Sequence, residues 1–264
     1  MKISKEMIKE GLTALGIKPG MKLMVHSSLK SFGEVENGAD TVLDALFEIV
    51  TEEGTIMMPS FNHGKPYNEG DIYDPLTTPT VNGLIPETFR KRKGVSRSIN
   101  PTHPFAAWGK NHEYYLEDHQ KTDAFGIDSP LHRLMKDDGY CLLLGVGYLA
   151  NTFHHCVETC ENVPCLCARG EEYPVRLPDG QIVTAHTWAW RNEDCHITDT
   201  AEYGKHMAPI EKKIKIGNAE VTLYKLSEGY KIIADSLKSG IGTPINCGNC
   251  KNHPRVCEWS VKKD

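Results

Sequence analysis

An imidazole and a carboxylate three residues apart on one helix make a general base with an orienting partner. The segment Asn151-Thr152-Phe153-His154-His155-Cys156-Val157-Glu158 offers that arrangement. If Thr152 caps or opens a helix, Thr152, His155 and Glu158 recur every third residue and share a face. The carboxylate would fix the imidazole tautomer and favour the imidazolium that forms when the base takes a proton. Two other readings stay open. The pair can be a solvated surface contact, or His155 and Glu158 can be metal ligands whose third partner has no evident place. Cys156 beside His155 raises a thiol nucleophile, but successive helical residues point about 100° apart, which argues against a direct couple between these two.

Two further segments could hold a ligand. His26-Ser27-Ser28-Leu29-Lys30-Ser31-Phe32-Gly33 follows a short apolar stretch and exposes backbone N–H groups and hydroxyls suited to carbonyl or phosphate oxygens, or it is an ordinary strand-to-helix turn. Gly145-Val146-Gly147-Tyr148-Leu149-Ala150 matches the G-x-G-x-x-G/A dinucleotide fingerprint in letter. That fingerprint also needs a second strand ending in an acid about 20 residues on. Pro164–Gly170 supplies none, so the glycines read as a tight turn at a strand's carboxyl end.

Cys247, Cys250, His253 and Cys257 have the C-x2-C-x2-H-x3-C spacing of a compact structural zinc knob. Reduced thiols in a loop-like tail are the competing reading, and a structural zinc there is not predicted. Arg90–Lys93 reads as a solvated charge run, and Asp194–Asp199 could line a site for a cation.

The elements that must position these residues alternate in the manner of α/β layering. Helical patterns run over 3–16, 38–50, 84–92, 130–137, from about Thr152, and over 227–237. Strand patterns occupy 22–26, 55–58, 140–144 and 221–226, with strand and loop around two prolines at 98–108. Residues 62–83 read as a long Tyr/Asn/Gly/Pro loop, of the kind that often carries function. Pro178-Asp179-Gly180 predicts a β-hairpin over 172–193, and residues 199–213 are mixed, with room for a helix up to Pro209. The candidate base and the 26–33 loop both fall just after strands.

Composition bounds the function. The chain has 264 residues, 39% hydrophobic and 25% charged, which suits a single folded domain over 1–264 with a Cys-rich tail at 244–264. No apolar run approaches membrane-spanning length, and the N-terminus lacks the apolar stretch of a secretory signal, so the expectation is a cytoplasmic protein without a membrane partner. A net charge of −5 makes nucleic acid an unfavoured partner and weakly favours a polycationic substrate. Nine cysteines, an odd number in a chain of this size, argue against a disulfide framework.

In order along the chain, VHSSLKSFG at 25–33, TIMMPSF at 55–61, RSINPTHPFAAWG at 97–109, SPLHRL at 129–134 and LLLGVGYLANTFHHCVE at 142–158 resemble the aminoglycoside 3-N-acetyltransferases, with a fainter match at DCHITD, 194–199. The common acetyltransferase signature [QR]-x-x-G-x-[GA], which that family does not use, is missing here too. The resemblance implies a three-layer α/β/α sandwich around a mixed sheet. It implies acetyl transfer from acetyl-CoA to an amine, with the 3-amino group of an aminoglycoside as prototype. It makes His155 the base and Glu158 its partner; the oxyanion of such a transfer needs donors that Thr152 or the 26–33 loop could supply. It gives His26, Ser27, Ser28, Leu29, Phe32 and Gly33 to the CoA arm. The Cys-rich stretches depart from the family pattern. Two alternatives make different predictions: ping-pong transfer through a cysteine requires an acetyl-thioester on the protein, and a zinc-stabilised binding module requires bound zinc and no affinity for CoA.

Overall fold

A computed structural model describes residues 2–62, 72–161, 172–186 and 202–239. Helix α1 (Lys5–Leu15) starts where the Ser4 hydroxyl accepts from the Met7 N–H and stops at Gly16, whose φ of +105° few other residues adopt. Its buried side is Ile8, Leu12 and Leu15. Strand β1 (Lys22–Ser27) leads to α2 (Ala39–Val50), and β2 (Thr55–Pro59) to α3 (Leu84–Phe89). Then come β3 (Ser96–Arg97), β4 (Phe105–Gly109), α4 (His112–Leu116), α5 (Pro130–Lys136), β5 (Tyr140–Leu144) and α6 (Phe153–Cys160). The chain continues through β6 (Glu172–Arg176), β7 (Ile182–His186), β8 (Lys212–Ile216), β9 (Ala219–Lys225) and α7 (Leu226–Lys238).

Seven strands form one sheet in the order β3-β4-β2-β1-β5-β9-β8. The central pairs β1–β2 and β1–β5 are parallel and the outer pairs antiparallel, so the sheet is mixed. Side chains alternate across it. Leu23, Val25, Ile56, Met58, Leu142 and Leu144 join the core under α1, α2 and α3. Met24, Met57, Cys141, Leu143 and Tyr224 join the opposite core, under α4 to α7. These two cores make the three layers expected from the sequence.

β6 and β7 pair antiparallel as a separate two-stranded sheet. The Tyr73 N–H donates to the Pro174 carbonyl at 3.0 Å, and its phenol donates to the Ser98 carbonyl at 3.0 Å, tying the hairpin to the main body. The rest of the stretch expected as a hairpin, 187–193, lies outside the described residues, as do 194–199 and the Cys-rich tail.

Three expectations need adjustment. α3 ends at Phe89 rather than Arg92, because the chain then turns through Gly94 at φ +80°. α4 has no counterpart among the helical patterns of the sequence. The mixed stretch 199–213 ends in β8, an edge strand, KKIKI, that is largely solvent-facing and lacks a strong apolar alternation.

The topology sets the place of the site. β1 and β5 are parallel neighbours, with Ser27 opposite Leu144. The chain leaving β1 passes to α2 on one face, and the chain leaving β5 passes to α6 on the other. Such a switch point opens a crevice outside the carboxyl ends of the strands, where open α/β sheets bind ligands.

Candidate active site

Two segments meet in that crevice. The Ser28 N–H donates to the Leu144 carbonyl at 2.9 Å. Gly145 sits at φ +68°, and a Cβ there would lie 2.6 Å from the Ser31 Cβ, so this contact requires glycine. The first glycine of the fingerprint therefore serves close approach of two loops.

Asn151 organises the entry to α6. It is fully buried, and its amide N–H groups donate to the phenols of Tyr203 (2.9 Å) and Tyr224 (2.7 Å). Its side-chain oxygen accepts from the Phe153 N–H at 3.2 Å, satisfying one of the free donors of the first turn. Thr152 stands at the N-cap position, but its side chain makes no capping bond. Its hydroxyl oxygen is buried and has no hydrogen-bond partner among the described residues.

The His155–Glu158 pair forms as the spacing predicts. His155 Nδ1 lies 2.8 Å from Glu158 Oε2, with the two side chains 12% and 1% exposed. A carboxylate this buried is not a solvated surface partner, so that reading falls. An Nδ1–H donated to the carboxylate leaves Nε2 as the proton acceptor. The ring of His155 rests near Phe125 (5.6 Å between centroids), which meets Phe61 and His103 edge-on at 5.9 and 5.2 Å. His154 lies against His155, 3.8 Å between ring centroids, and its Nδ1 donates to the Asn151 carbonyl.

The 26–33 loop divides. His26 is buried at the end of β1, and burial together with the neighbouring His154 charge lowers its pKa to about 3. It is a neutral interior group rather than part of the exposed loop. Phe32 is 1% exposed and belongs to the core under α1 and α2, with Leu29 packed against that core. Both anchor the loop; Phe32 offers a ligand no free surface, whereas Leu29 is only partly buried. Ser28 and Ser31 hydrogen-bond through their hydroxyls at 3.0 Å. Gly33 (φ +90°) is exposed at the turn, and the Ser27 hydroxyl is buried and has no hydrogen-bond partner among the described residues.

The two fully buried thiols near the site are poor nucleophiles. The bond to Cys160, then burial, pushes the Cys156 thiol well up. Burial pushes Cys141 up to about 12. A thiol held protonated does not attack a thioester, so neither cysteine suits a ping-pong mechanism.

Sequence reasoning missed Asn151, His154, Phe61, His103 and Phe125. Each lies within a stretch quoted for the resemblance or close to one, but only tertiary contacts reveal a role. The family model "Aminoglycoside 3-N-acetyltransferase" matches residues 24–238. The chain belongs to that family. Within it, the aminoglycoside N(3')-acetyltransferase-like protein YokD of Bacillus subtilis is 40% identical over 175 residues, 59% of this chain. That match spans 64% of the Bacillus protein's length, just under two thirds. The crystal structure of YokD superposes with a TM-score of 0.77 at 31% identity, covering 90% of this chain and 94% of that one. A histidine-to-alanine variant of the acetyltransferase AAC(3)-IVa, in complex with a gentamicin, has a TM-score of 0.76 at 27% identity and covers 90% of each chain. AAC-IIIb, solved as a binary complex with CoASH, shares the fold at a TM-score of 0.79 and 24% identity, over 92% of this chain and 99% of that one. Among the described residues no helix is long and apolar enough to cross a membrane.

Proposed function

We propose that this protein transfers an acetyl group from acetyl-CoA to a substrate amine, the 3-amino group of an aminoglycoside, by direct attack with His155 as general base. The observation that carries the reading is the 2.8 Å contact of His155 Nδ1 with a carboxylate only 1% exposed, on the helix that follows β5. Membership in the family supports the donor and the reaction class, and the gentamicin complex of AAC(3)-IVa supports the acceptor class.

The amine nitrogen attacks the thioester carbonyl and a C–N bond forms. The proton on nitrogen passes to His155 Nε2, and the C–S bond then breaks to release CoA. Glu158 steadies the imidazolium charge at Nδ1. A general base of this kind contributes about 10²–10⁴ in rate. The Thr152 hydroxyl, buried and without another partner among the described residues, is the candidate donor to the oxyanion. In this reading the 27–33 backbone takes the donor's pantetheine arm. The reading leaves no covalent acetyl-enzyme in the cycle.

The test is His155→Ala. It should lower kcat by about 10²–10⁴ while CoA binds with unchanged affinity by calorimetry. Near-normal kcat would end the base assignment. Free-CoA release measured across a panel of aminoglycosides and simple amines tests the acceptor, and turnover with simple amines alone would replace the aminoglycoside.

A further inference from the structure

The spacing of His155 and Glu158 leaves open a third metal-type partner, and the fold supplies one in the adjacent residue. His154, His155 and Glu158 each bring one ligand atom, and the three atoms lie within 4.8 Å of one another. The two imidazole rings are 3.8 Å apart between centroids. His154 and Glu158 are buried, at 3% and 1% exposure, and the His155 side chain is 12% exposed.

From this cluster we infer that the inner face of α6 is a zinc site of the His₂Glu kind, superimposed on the base and its partner. Three protein ligands of this composition with an open fourth position are a common zinc arrangement. The supporting bonds match those of a metal-binding histidine, whose second ring N–H ordinarily donates to a carbonyl or carboxylate. His154 Nδ1 donates to the Asn151 carbonyl, which fixes the tautomer and turns the lone pair to Nε2. Asn151 is held in turn by Tyr203 and Tyr224.

Zinc would take the place of the proton between His155 Nδ1 and Glu158 Oε2. The Nδ1–H bond breaks, a Zn–N bond forms, and the proton moves to Nε2, so that His155 binds as a neutral imidazole. These two atoms are 2.8 Å apart. Zn–N and Zn–O bonds of about 2.0–2.1 Å set a tetrahedral edge of about 3.3 Å, so the pair opens slightly while His154 swings in. Binding itself does not depend on the acetyl-transfer reading. Its consequence does: a base whose partner carboxylate is bound to zinc is blocked.

The test is a Co²⁺ titration of the full chain carrying Cys247→Ser, Cys250→Ser and Cys257→Ser, which removes the clustered tail thiols. One equivalent should bind with visible d–d bands of nitrogen and oxygen ligation, and zinc should displace it. His154→Gln in that background should weaken binding about tenfold or more, and Glu158→Gln likewise, each judged folded by circular dichroism. No Co²⁺ bound, a sulfur-to-cobalt charge-transfer band alone, or undiminished affinity in both variants would overturn the site. Acetyl transfer inhibited by zinc and restored by chelator would then support both readings. Co²⁺ binding that both variants weaken, without zinc inhibition, would leave the site standing and count against His155 as the base.

Discussion

Two adjacent parallel strands deliver loops to the same crevice, and the loops are built differently. After β5 the chain buries polar groups: Asn151 is 0% exposed, His154 3% and Glu158 1%, and the Thr152 hydroxyl is buried with no partner among the described residues. After β1 it buries an apolar anchor, Phe32, and pairs the Ser28 and Ser31 hydroxyls, although the His26 ring and the Ser27 hydroxyl at the strand's end are buried too. Burying a polar group costs free energy unless its bonds are replaced. In the proposed reaction the β5 side supplies the base and its partner, and the β1 side seats the donor chiefly through its backbone.

The comparison breaks most visibly at Phe32. Phe32→Ala should cost about 3–5 kcal/mol of stability, as expected for a fully buried aromatic, measured by denaturant unfolding. At a temperature where the variant is folded, kcat should stay near normal. A small stability loss with a large rise in KM for acetyl-CoA would return Phe32 to the ligand surface.

Next in size is Thr152→Val. It removes a hydroxyl that no hydrogen bond among the described residues satisfies, so stability should hold or rise. As an oxyanion donor its loss should lower kcat by about 10²–10³. Unchanged kcat would remove Thr152 from the mechanism and leave the donors to the β1 loop.

Part of this division is legible in the sequence. The T-x-x-H-x-x-E spacing can be read because helix geometry is local, and the pair forms as the spacing requires. β1, β2 and β5 can be read because their apolar runs are short and bounded by turn residues. Phe125 and His103 cannot, since Phe125 approaches His155, and His103 approaches Phe125, across long sequence separations through packing of the 98–128 region. His154 is visible as a letter, but its role as a neighbour of His155 depends on where Asn151 pins its ring. The resemblance misplaces Phe32 because loop position alone does not say which way a side chain points.

Gly145→Ala tests the contact between the two loops. The substitution meets Ser31 and also forces a side chain into φ +68°. A cost of about 1–3 kcal/mol should follow, with higher KM for acetyl-CoA. Adding Ser31→Gly relieves the collision but leaves the backbone strain, so it should restore part of the stability. If Gly145→Ala alone leaves Tm and KM unmoved, the loops do not depend on each other.

The smallest effect separates two well-held carboxylates. Glu158 faces an imidazole that can exchange a proton, whereas Glu87 faces fixed cations. Burial alone would raise the Glu87 pKa, but bonds from Arg90, Lys91 and the Thr80 N–H outweigh it and lower the pKa to about 2, against an ordinary 4.5. Arg90 grips both carboxylate oxygens, at 2.6 and 2.7 Å. The folded state binds this proton less tightly than the unfolded state does. Its stabilisation is therefore complete above the ordinary value and is lost as pH falls from about 4.5 to about 2. Glu87 keeps part of its solvent contact, so the contribution should be about 1 kcal/mol. Glu87→Gln should lower neutral-pH stability by that amount and flatten the unfolding free energy across the same acid range, with kcat unchanged. A tenfold fall in kcat would mean that α3 communicates with the crevice and that the division between a structural and a reactive carboxylate is wrong.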